Sequence, residues 1–75
     1  MMDKVIIVKQ EIRKLIANYL GEPTAKTFFG FYNDETLPIY SDAAVKILRD
    51  FIGEEKAKNE LKTIFIRNHT AHTYV

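Results

Sequence analysis

A chain of seventy-five residues with a net charge of +1, 47% hydrophobic content and no cysteine makes one small domain and excludes a disulfide framework or a thiolate metal site. Eleven basic residues against ten acidic ones lack the positive excess of a dedicated nucleic-acid binder, and the apolar content is that of a folded chain. The apolar run Val5-Ile6-Ile7-Val8 stops at Lys9, and no stretch reaches the length of a membrane span, so a cytoplasmic protein without a secretory signal is expected.

After a short lead, in which Asp3 suits a helix N-cap, Val5, Val8, Ile12, Leu15, Ile16, Tyr19 and Leu20 recur three and four apart. That spacing predicts a first helix from Lys4 to Leu20, with Lys9, Gln10, Arg13, Lys14 and Asn18 off the stripe and facing water. Gly21 stands where a left-handed helix stop belongs. Pro23 suits the first turn of a second helix, Pro23 to Tyr32. Gly30 inside it costs about 1 kcal/mol relative to alanine, which points to a close neighbour or a break. Asn33 to Thr36 is turn-forming, and Pro38 favours an extended Leu37. Leu37 to Tyr40 is therefore expected as an irregular connection folded over the core.

Ser41 reads as the N-cap of a third helix, Asp42 to Ile52, with Ala44, Val45, Leu48, Phe51 and Ile52 as its stripe. Gly53 ends it. Glu54 and Glu55 suit the positive end of a fourth helix, which buries Ala57, Leu61, Ile64 and Phe65 and ends near Arg67.

The second half repeats the first. Tyr19-Leu20-Gly21-Glu22 returns as Phe51-Ile52-Gly53-Glu54, and Ala25-Lys26 returns as Ala57-Lys58, each displaced by 53 − 21 = 32 residues. The expected fold is all-α: a small four-helix domain (1–68) built from two helix-Gly-helix hairpins, followed by a flexible C-terminal tail (69–75). The copies differ where Phe28 and Phe29 of the first meet Glu60 and Leu61 of the second. The first hairpin thus has more apolar surface than one buried stripe requires, and the surplus fills the core or forms a contact surface.

The aromatic run supplies the main candidate site. Phe28, Phe29, Phe31 and Tyr32, with Leu37, Ile39 and Tyr40, are expected to bind another protein or a second copy of this chain, since rigid rings bury much area at low entropic cost. The alternative is a small nucleic-acid-binding regulator using Lys9, Arg13, Lys14, Lys58 and Lys62. Around Gly21, Ala17, Ile16 and Leu20 resemble the first half of a bacterial helix-turn-helix. The resemblance departs at Glu22 and Gly30, and the second helix is Phe-rich with a single basic residue, Lys26, where base edges are read by exposed Arg, Asn, Gln or Lys.

His69-x-x-His72 has metal-like spacing but too few ligands. Thr73-Tyr74-Val75 resembles the C-terminal ligand of PDZ domains, which implies capture of a carboxylate by strand addition. Ser41 is the sole serine, and no glycine-rich phosphate loop occurs. The sequence therefore leads to a non-catalytic interaction module with no cofactor, no metal and no membrane contact.

Overall fold

The computed structural model describes residues 4–69. Among them are four helices and no strand: α1 (Lys4–Leu20), α2 (Glu22–Tyr32), α3 (Leu37–Ile52) and α4 (Glu54–Arg67). The protein is all-α, a small domain of two helix-Gly-helix hairpins. No helix among the described residues is long and apolar enough to cross a membrane. The proposed Asp3 cap and the tail beyond His69 lie outside the described residues.

The two joints share one conformation. Gly21 has φ 95° and ψ 156°, and Gly53 has φ 88° and ψ 153°. Each N–H donates to the carbonyl four residues back (Ala17 and Arg49, both 2.9 Å), and each carbonyl accepts from the alanine four residues on (Ala25 and Ala57, both 3.1 Å). A single residue thus closes one helix and opens the next. This is not the expected left-handed stop, whose ψ is near +47°. Positive φ with extended ψ is essentially a glycine-only region. Gly21→Ala and Gly53→Ala are each expected to cost about 2 kcal/mol, from a typical 1–3 kcal/mol for such strain. The penalty is conformational, because a Cβ at Gly53 meets nothing within 4 Å.

Gly30 behaves oppositely. Helix α2 runs through it unbroken, and a Cβ there meets nothing within 4 Å. Neither the close neighbour nor the break expected at this position exists. Gly30→Ala should therefore stabilise by about 0.5–1 kcal/mol. Denaturant midpoints of the three variants check both signs.

Helix α3 differs most from expectation. It begins at Leu37, not Asp42, and Thr36, in extended conformation, is its N-cap. Tyr40 N–H closes the first turn on the Thr36 carbonyl at 2.9 Å. Pro38 lies in that turn, where a missing N–H leaves nothing unsatisfied. Ser41 is therefore not a cap. It is fully buried inside the helix, and its hydroxyl has no hydrogen-bond partner. Phe51, expected in the stripe, is 66% exposed. Starting a turn earlier brings Tyr40 into line with Ala44 and Leu48, and these residues bury α3 instead.

Helix α1 packs against all three other helices, whereas α2 and α4 do not touch. Buried residues fall at positions related by the repeat: Val8 and Tyr40, Ile12 and Ala44, Ile16 and Leu48, Ala25 and Ala57. Among the described residues, the two buried polar ones, Lys9 and Ser41, are also equivalents. The Tyr40 hydroxyl donates to the Lys9 carbonyl at 2.9 Å. Tyr40 is the equivalent of Val8, so equivalent positions meet where α1 and α3 cross. An approximate two-fold relation between the hairpins produces that contact.

Candidate docking groove

The two-fold relation generates two equivalent grooves, α1 against α4 and α3 against α2. The first is lined by Ile7, Gln10, Glu11, Lys14 and Leu15 of α1 and by Glu60 and Ile64 of α4, among others. Displaced by the repeat, these become Ile39, Asp42, Ala43, Lys46 and Ile47 of α3 and Phe28 and Tyr32 of α2, the residues that line the second. One groove is thus written twice with different side chains.

In the α1–α4 copy, polar groups bridge the helices. Glu11 accepts from Arg67 and, at 2.6 Å, from the Asn68 amide. The Tyr19 hydroxyl donates to Glu60 at 3.0 Å, and Lys56 Nζ lies 5.5 Å from the Tyr19 ring centre. Burial opposes ionisation of Glu11. The hydrogen bonds from Asn68 and Arg67, with the charges of Arg67 and Lys14, outweigh it and hold the carboxyl below its ordinary value of 4.5. A carboxyl lowered on folding contributes stability above pH 4.5 and loses it as the pH falls through the folded value. Thermal unfolding between pH 6 and 3 should therefore show a steeper acid decline in the parent than in Glu11→Gln.

In the α2–α3 copy every member of this clasp is replaced. Ala43 stands for Glu11, Glu35 for Arg67, Thr36 for Asn68, Phe51 for Tyr19 and Phe28 for Glu60. What remains is a largely apolar hollow between α2 and α3. Pro23, Thr27 and Phe31 extend it along α2. Phe31 is 76% exposed and Ile39 50% exposed at its edges.

The expected partner-binding residues therefore separate. Phe31 and Ile39 are exposed, and Tyr32 and Leu37 are half-buried against the core. Phe28 and Tyr40 are buried, their rings edge to face at 5.0 Å. Tyr40 has no side-chain face to offer a partner, whereas Phe28, almost fully buried, still contributes to the lining of the groove. Phe29 is half-buried on the α1 side of α2, with the Arg13 guanidinium 5.9 Å from its ring centre. Leu37 and Ile39 belong to the first turn of α3, not to a loop. Ala43 and Ile47 were missed, although Ile39, Ala43 and Ile47 lie four apart on one line of a helix.

The basic residues of the alternative are largely engaged elsewhere. Lys9, expected at the surface, is buried, and its ammonium donates to the carbonyls of Asn33 (2.7 Å) and Glu35 (2.5 Å). Its ammonium thereby bridges two carbonyls just beyond the end of α2. Arg13 pairs with Glu22, and Lys58 with Glu54 at 3.6 Å. Lys14 and Lys62 are exposed on different helices. The α1–α2 joint is a single residue, where a helix-turn-helix uses three or four. Of the histidine pair, His69 follows α4 with φ 54°, and His72 lies outside the described residues. Among the described residues no group of three His, Cys, Asp or Glu side chains could hold a metal.

No family model, no curated protein and no solved structure matches this chain.

Proposed function

We propose that this chain is a non-catalytic, cytoplasmic protein–protein interaction module whose docking surface is the α2–α3 groove. The observation that carries the reading is the contrast between equivalent grooves. One is bridged by Glu11, Arg67 and Asn68, while the other has lost each bridging group and shows Phe31 and Ile39 to solvent. Exposed aromatic and branched side chains around a concave apolar surface are typical of interface anchors. The groups with shifted pKa have structural partners: Glu11 is held by Arg67 and Asn68, and Tyr40 by the Lys9 carbonyl. Neither supports a catalytic reading.

A photo-cross-linking residue at Ile47, compared with one at its equivalent Leu15, tests the proposal inside cells. Protein adducts should form at position 47 and not at position 15. No adduct at position 47, or equal capture at both positions, contradicts it.

A further inference from the structure

Resting on that docking reading, we propose that the occupant of the α2–α3 groove is a second copy of this chain, related by a two-fold axis that passes near Ala43 and sets the two α3 helices antiparallel. Three features of α3 point to self-complementarity. Ile39, Ala43 and Ile47 form a line that reads the same in both directions. Reversing the helix places Ile39 against Ile47 of the second copy and the two alanines against each other, so the smallest side chains sit where the helices approach most closely.

Charge agrees with this register. Asp42 and Lys46 flank the line one turn apart, 3.0 Å from each other and more than half exposed. Antiparallel docking brings each Asp42 beside Lys46 of the second copy. Asp42 and Lys46 flank the same side of the line, so a parallel two-fold would carry them to opposite edges of the seam and forfeit this pairing, and the same two residues favour the antiparallel orientation. The equivalent line on α1 is Ile7, Glu11 and Leu15. There the central position is a carboxylate already held by Arg67 and Asn68, and two copies would face each other with like charges.

Size is compatible as well. A standard interface covers about 800 Å² per partner. The body measures 31 × 26 × 18 Å and exposes 4872 Å², so its broad face is of that order. Phe31, 76% exposed at the groove edge, is the ring each copy contributes as an anchor.

Sedimentation equilibrium of the full chain from micromolar to millimolar concentration tests the assignment. The expected species is a dimer of 8.7 kDa chains. Asp42→Lys and Lys46→Asp should each raise the dissociation constant about tenfold or more, and the double reversal should restore it to within about threefold, since it recreates the opposite pairing. The chain has no cysteine, so Ala43→Cys gives a second readout. With a mild oxidant it should form a disulfide-linked dimer, while Lys62→Cys on α4 should not.

A monomer at every concentration overturns the proposal. So does a dimer that the double reversal leaves as weak as the single ones, or equal cross-linking through position 62. A monomer that still captures a different protein through position 47 removes self-association and keeps the docking reading. A monomer with no adduct there removes both.

Discussion

Tyr40→Ala is expected to cost about 4 kcal/mol of folding stability, from the 3–5 kcal/mol typical of truncating a buried aromatic ring. Tyr40 heads the fully buried side chains by volume. Its ring meets Phe28 at 5.0 Å and Phe29 at 6.4 Å, both edge-on, and its hydroxyl reaches across to the Lys9 carbonyl. It therefore ties α3 to α2 and to α1 at the crossing of the two hairpins. A domain of this size has roughly 4–11 kcal/mol in total, at 0.05–0.15 kcal/mol per residue, so the variant should be near its unfolding threshold at 25 °C. Tyr40→Phe keeps the ring and removes one hydrogen bond, at about 1 kcal/mol. Burial pushes the phenol well above its ordinary value of 10, with the Arg13 charge working against it. A phenol raised on folding contributes fully below pH 10, and that contribution declines as the pH rises further. Tyr40→Phe should lack this part of the alkaline decline. Urea unfolding of the three proteins at pH 7 and 10.5 measures both effects.

Lys9→Met is expected to cost about 2–3 kcal/mol, the value of two charge-assisted hydrogen bonds less what the methionine recovers by packing. The Lys9 ammonium gathers the carbonyls of Asn33 and Glu35 and lies 5.4 Å from the centre of the Tyr40 ring. It fastens the connection between the two hairpins, residues 33–36, which is longer than the single-residue joints within them. Hydrogen exchange should quicken first around Asn33 to Tyr40, with α4 less affected. A lysine with its head in solvent would give a change within about 0.5 kcal/mol, so equilibrium unfolding separates the buried arrangement from the surface patch that helical spacing alone suggests.

The contrast between Lys9 and the rest of α1 shows what periodicity can and cannot convey. The apolar stripe placed Val8, Ile12 and Ile16 correctly, because burying one face of a helix needs only regular spacing. Lys9 escaped because its partners are backbone carbonyls twenty-four and twenty-six residues away, and carbonyls have no signature in the residue letters. The joints were legible because a glycine-only conformation demands glycine. Their common geometry also makes the repeat structural as well as textual.

The start of α3 was not legible. Leu-Pro-Ile-Tyr has no local helical signal, and Pro38 suggests an extended chain, yet Thr36 caps the helix and Pro38 lies in its first turn. Tertiary burial of Tyr40 then outweighs the weak local preference.

The groove was only partly legible. The excess of rings on α2 was visible, and Phe31 and Ile39 are indeed at the surface. Which rings turn inward depends on where α3 lies. Phe28 and Tyr40 bury each other, and that pairing requires knowing that α3 starts a turn early. Ala43 and Ile47 were overlooked because alanine at a surface position has no hydrophobic emphasis of its own. Its meaning appears only beside Glu11, the residue that fills the same position in the other copy.

The most direct measurement is a dilution series followed by the methyl resonances of Ile39 and Ile47 together with those of Ile7 and Leu15, their equivalents across the repeat. The account predicts that Ile39 and Ile47 shift with concentration while Ile7 and Leu15 stay fixed, because only the unclasped groove takes up a second copy. Four unchanging residues, or two pairs that move together, would contradict it.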